Sequence, residues 1–170
     1  AQIIAADSPA HIIVASLGAS VALRLALEHP ALVASLTLDS GQLGGPPPSP
    51  MLRYLGRLVS GMAGGLPRRI VAAALLTQFL AYQGEDRAAV RADIVRLGTA
   101  GIIGHLRAQL AHNVQAEAAN IIAPALLLAG ERDPLTRSGV HRSLQAVLTR
   151  ARLVEMPGAG HVTFLSHPEA

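Results

Sequence analysis

The chain has 170 residues, 51% of them hydrophobic but only 2% aromatic, with a net charge of +3 and no cysteine. That size and apolar content suffice for one compact core, and the lack of cysteine excludes disulfides, zinc–thiolate centres and a cysteine nucleophile. All 14 basic residues are arginines, scattered from Arg24 to Arg152 among acids without interleaved aromatics, a pattern of solvated helix faces that argues against a nucleic-acid partner.

Residues 1–7 read as the tail of a helix. His11-Ile12-Ile13-Val14-Ala15 is a nearly continuous apolar run, the pattern of a strand buried on both faces within a parallel sheet. The run passes through Ser16 and Leu17 to Gly18 and straight into a predicted helix over 18–29, which Glu28-His29-Pro30 closes. A strand over 33–38 completes a βαβ unit, right-handed as such units are. Asp39-Ser40-Gly41-Gln42 ends that unit, and Gly44-Gly45-Pro46-Pro47-Pro48-Ser49-Pro50 breaks all regular structure.

Helices are predicted next at about 51–62, 68–82, 86–97 and 102–118, with no strand between Pro46 and Ala118. The sheet resumes with a strand over 125–129, a helix over 136–148 and a strand over 152–155. Gly158-Ala159-Gly160 then leads into His161. No apolar run approaches the roughly 18 residues of a membrane span, and the other histidines (His11, His29, His105, His112, His141, His167) are spaced without a metal-binding pattern.

Three polar residues stand just past strands, in the order Ser16, Asp133, His161. A serine on a sharp strand-to-helix turn is lifted above the sheet, where an imidazole can reach it, and the first N–H groups of the new helix face a developing oxyanion. A carboxylate is then needed to hold the imidazole tautomer. Each residue also has a plainer use: Ser16 as a helix cap, Asp133 as a cap for the helix starting near Thr136, His161 as a loop residue bonded to backbone. A second register, Gly18-Ala19-Ser20, fits a loosened nucleophile pattern, but it leaves only 10 positions before Pro30 against 14 from Ser16, so Ser20 reads as an ordinary helix residue.

The conjunction resembles the α/β-hydrolase superfamily over nearly the whole chain. Pro134 after the aspartate and Phe164-Leu165-Ser166-His167-Pro168-Glu169 after the histidine are also similar to that family. Where the family has glycine two residues before the nucleophile, this chain has Val14. The resemblance implies a partial α/β-hydrolase fold, a parallel sheet flanked by helices with a helical cap insertion. Residues 1–45 would be the first part of the core, 46–120 the cap and 121–170 the second part.

It also implies Ser16, Asp133 and His161 as catalytic residues, Leu17 as the backbone oxyanion donor, and Asp39 as the alternative acid, because some members carry the acid after the preceding strand. No cofactor is implied. The expected activity is that of a serine hydrolase cleaving a carboxylic ester or lactone, the apolar stretch 70–80 of the cap favouring a small-molecule substrate with an apolar portion. A cytoplasmic location is expected. The family's sheet begins with further strands and a His-Gly loop ahead of the nucleophile, which makes 11–15 an edge strand here and self-association through it an expectation. The alternative is a truncated, non-catalytic or partner-dependent hydrolase-like chain.

Overall fold

The computed structural model describes residues 8–44, 111–133, 136 and 138–169, together with helical residues 92, 96–98, 100, 101, 104, 107 and 108. The helices predicted at 51–62 and 68–82, the helix tail at 1–7, most of the helix predicted at 86–97 and all of the segment 46–91 lie outside the described residues.

Four parallel strands form one sheet in the order β1-β2-β3-β4: β1 (Ala10–Ala15), β2 (Val33–Asp39), β3 (Ala125–Gly130) and β4 (Ala151–Met156). Helix α1 (Leu17–Glu28) joins β1 to β2, and α2 (Ser138–Val147) joins β3 to β4. A short helix, α3 (Thr163–Ser166), follows His161. The predicted elements match these within one or two residues, because each apolar run is bounded by a glycine, a proline or a charged pair.

Pairing places Val14, Leu38, Leu127 and Leu153 side by side across the sheet, with Ile12, Leu36, Ala125 and Ala151 in the row below. Alternation puts both rows on one face. Helix α1 buries Ala19, Ala22, Leu23 and Ala26, a spacing of three and four that makes one apolar stripe. Helix α2 buries His141 and Leu144, with Leu148 just beyond its end. The two helices converge at Gly41, where an added Cβ would lie 2.9 Å from the Ala19 Cβ and 3.8 Å from Leu144 Cδ2. Leu23, Leu36, Leu38, Leu127 and Leu144 are fully buried, and each burial contributes roughly 1.5–3 kcal/mol.

The opposite face corrects one expectation. Residues 11–15 were predicted to be buried on both sides, yet Ile13 is 70% exposed. Both helices pack on the Ile12 and Val14 side, so among the described residues nothing covers the Ile13 side. As expected, β1 is an edge strand of the described sheet, paired with β2 alone.

The helix predicted over 102–118 also ends early. The His112 N–H still donates to the Ala108 carbonyl, but Asn113 forms an antiparallel bridge with Gly44, and the Val114 N–H donates to the Leu43 carbonyl. Gly44 has φ 94°, and a Cβ there would sit 2.0 Å from the His112 carbonyl oxygen. That close approach draws the chain out of the helix and against the end of β2.

Candidate active site

The site gathers at the carboxyl ends of the strands, where ligand sites of open parallel sheets lie. Ser16 is the single residue between β1 and α1. Its backbone has φ 51° and ψ −118°, a conformation that costs a non-glycine residue about 1–3 kcal/mol. Its N–H donates to the Asp39 carbonyl at 2.9 Å, and its carbonyl accepts from the Ala19 N–H at 3.0 Å. Those bonds hold the turn and leave the side chain pointing away from the sheet core. Leu17, the first residue of α1, carries one of the early N–H groups that have no acceptor within a helix.

The chain tolerates Val14 at this turn because of Gly18. A Cβ on Gly18 would stand 3.1 Å from the Val14 Cβ, so the missing side chain at 18 leaves room for the present one at 14. Ser20, the rival serine, is 4% exposed on the buried stripe of α1. Its hydroxyl faces the core rather than the strand ends.

His161 lies 145 positions from Ser16 in sequence, and its Nε2 is 2.8 Å from Ser16 Oγ. Its Nδ1 is 2.9 Å from Asp133 Oδ2. The imidazole is 3% exposed and Asp133 is 5% exposed. Asp133 also accepts from the Thr136 N–H at 3.0 Å on Oδ1 and from the Thr136 hydroxyl on Oδ2. It therefore caps the following turn and lies against the histidine ring at once.

Burial alone would raise the Asp133 pKa, but the hydrogen bond and charge of His161 and the two bonds from Thr136 outweigh it and hold the group at about 2. The carboxylate of Asp39, the alternative acid, is met by backbone amides. Its Oδ2 accepts the Thr163 N–H at 2.7 Å and the Phe164 N–H at 3.4 Å. Burial pushes its pKa up, against those two amides and the charge of His161.

Three features that sequence reading passed over hold the histidine loop. Glu131 Oε2 accepts the Gly158 N–H at 2.8 Å, while the Arg132 N–H donates to the Ala159 carbonyl at 2.9 Å. Gly130 is the closer constraint, since a Cβ there would lie 2.0 Å from the Gly160 carbonyl oxygen and 2.6 Å from that of Ala159. Gly130→Ala is therefore expected to destabilise the fold by about 1–3 kcal/mol, as overpacking against backbone does. A urea midpoint equal to wild type would show that the loop has room to move. The Gly130 signal was present in the sequence as a glycine ending a buried strand; Thr136 stood three residues after an aspartate, the spacing of a capping bond.

The described residues contain no cluster of three or more His, Asp or Glu side chains able to hold a metal ion. Nor does any helix among them have the length and hydropathy to cross a membrane.

Comparison with known proteins agrees with this architecture. The family model described as "Alpha/beta hydrolase family" matches residues 1–170. A pimeloyl-[acyl-carrier protein] methyl ester esterase of Neisseria meningitidis serogroup C is 32% identical over 175 residues, covering 96% of this chain and 67% of that protein. The crystal structure of a hydrolase from Pseudomonas aeruginosa superposes with a TM-score of 0.80 at 24% identity, over 95% of this chain and 61% of that one. The enol-lactonase from Burkholderia xenovorans LB400 superposes with a TM-score of 0.76 at 21% identity, over 99% of this chain and 62% of that one. The chain thus spans 61–67% of the length of these three proteins. With a strained serine between its first strand and helix, a parallel sheet in the family's manner and a family model that matches from end to end, the chain belongs to the alpha/beta hydrolase family.

Proposed function

We propose that this chain carries the Ser-His-Asp machinery of a carboxylic ester hydrolase, with Ser16 as nucleophile, His161 as general base and acid, and Asp133 as the carboxylate that orients it. The observation that carries the reading is the unbroken line from Ser16 Oγ through the His161 ring to Asp133 Oδ2, at 2.8 and 2.9 Å. It starts on a serine held at φ 51°.

Ser16 Oγ attacks the ester carbonyl carbon while its proton passes to His161 Nε2. The carbonyl oxygen becomes an oxyanion and accepts the Leu17 N–H. As the tetrahedral intermediate collapses, the bond to the leaving alkoxy group breaks, and that oxygen takes the proton from Nε2. The acyl group remains on Ser16. Water then gives a proton to Nε2 as it attacks, and Ser16 leaves with that proton, releasing the carboxylic acid. Asp133 stays ionised throughout and stabilises the imidazolium formed in each half.

Ester rather than lactone is favoured by the relatives that align along almost the whole chain and bear the name methyl ester esterase. The lactonase likeness speaks for the fold alone. A fluorophosphonate probe should label the wild-type protein on the peptide containing Ser16, and a simple methyl ester should compete for that labelling. Adduct formation on any other serine, or ester hydrolysis undiminished after stoichiometric labelling elsewhere, would overturn the assignment.

A further inference from the structure

We propose that Asp39 is a positioning residue that ties the nucleophile turn to the histidine loop through one side chain and one carbonyl. The inference rests on the roles given above to Ser16 and His161.

Asp39 ends β2, the strand between the one that carries Ser16 and the one that leads to Asp133. Its backbone carbonyl accepts the Ser16 N–H at 2.9 Å, across the last pair of the β1–β2 register. Its carboxylate accepts the Thr163 N–H at 2.7 Å, 124 positions away and two residues past His161. The Phe164 N–H lies 3.4 Å from the same oxygen. The carboxyl oxygen on the other side is 3.5 Å from the hydroxyl of Ser40.

A fully buried carboxylate is costly unless donors meet it. Asp39 is 0% exposed, and the two backbone donors that meet it belong to the first turn of α3, which begins two residues after the histidine. Through Thr163 it fixes where the loop ends; through its carbonyl it fixes where the serine turn begins. Misplacing either by an ångström can cost on the order of 10²-fold in rate.

This geometry separates three roles by substitution. Asparagine keeps a carbonyl oxygen that can accept the Thr163 N–H, whereas alanine removes the acceptor. A positioning role predicts that Asp39→Ala lowers kcat and the rate of fluorophosphonate labelling by roughly 10–100-fold with KM within about twofold, and that Asp39→Asn recovers most of the loss. A role as the charged acid of the triad predicts instead that both variants fail alike, by about 10⁴-fold. A role confined to folding predicts lower stability with unchanged kcat in the folded fraction.

Amide hydrogen exchange gives a readout independent of catalysis. The Thr163 N–H should lose protection in Asp39→Ala and keep it in Asp39→Asn. Should Asp39→Ala not fold, Thr163→Pro removes the donor from the other end: Pro is tolerated at the first position of a helix, and Val162 before it is already extended at φ −115° and ψ 98°. It should show the same kcat-specific loss. Wild-type kcat in Asp39→Ala, unchanged Thr163 protection in that variant, or equal loss in the Ala and Asn variants would each overturn the proposal. A wild-type protein unlabelled at Ser16 would instead overturn the catalytic reading, while Thr163 exchange would still report whether the tie exists.

Discussion

Ser16→Ala is expected to lower kcat for ester hydrolysis by about 10⁵–10⁶-fold, the scale of loss when the nucleophile of such a constellation is deleted. Under the proposed mechanism, what remains would come from substrate binding and from the Leu17 N–H, neither of which needs the hydroxyl. Stability should move far less, by about 1 kcal/mol at most, the net worth of the one hydrogen bond to His161 Nε2. Ser16→Gly should be as inactive as the alanine variant and more stable than it by up to about 1 kcal/mol, because glycine adopts the φ of 51° without strain. Steady-state kinetics and urea denaturation of the two variants check both halves. Retention of more than a tenth of wild-type kcat in Ser16→Ala would remove Ser16 from the chemistry.

In Ser16→Gly, low activity with little or no loss of stability would be the mark of strain at a functional residue. The serine is held in a conformation it would not choose, by the Asp39 carbonyl on one side and the start of α1 on the other. Gly18 and Val14 share the space between strand and helix. The strain is local and the sheet beneath it is ordinary.

Much of this was legible before any coordinates. Strands, helices and the order Ser16, Asp133, His161 follow from apolar periodicity and from the glycines and charges that end each run. Distances between those three residues were not legible, since they depend on loops meeting over the sheet. Equally hidden was which face of β1 is covered. Ile12, Ile13 and Val14 are all apolar, so the run carries no alternation to say that α1 and α2 both lie on the Ile12 and Val14 side. Asp39 was readable only as a second carboxylate after a strand. Whether such a group faces an imidazole or two backbone amides is decided by the path of the chain past His161, a tertiary fact that no local pattern encodes. Thr136 and Gly130 lie between these cases, because each stood in a recognisable local setting whose partner was remote or ambiguous.

Asp133→Asn is the substitution that divides the two carboxylates. It is expected to reduce kcat by about 10⁴-fold, where Asp39→Asn keeps most of the activity. The cause is the tautomer. Thr136 donates its N–H to Oδ1 and its hydroxyl to Oδ2. An asparagine that keeps its oxygen on the Thr136 N–H presents its amide nitrogen to His161 Nδ1, which must then accept rather than donate. Nε2 is left carrying the proton and cannot receive one from Ser16.

The pH dependence of stability gives a second signature. The folded-state pKa of Asp133 lies at about 2, below the ordinary 3.8. A depressed carboxylate stabilises the fold fully above its unfolded value, and that contribution, on the order of 2 kcal/mol, disappears as pH falls through the folded value. The gap in urea midpoint between wild type and Asp133→Asn should therefore narrow steadily as pH falls from about 5 towards 2. Activity should show no inflection from Asp133 anywhere above about pH 4, because the carboxylate is already ionised there. A gap that widened on acidification, or an asparagine variant with near-wild-type kcat, would mean that Asp133 caps the turn at Thr136 and does no more.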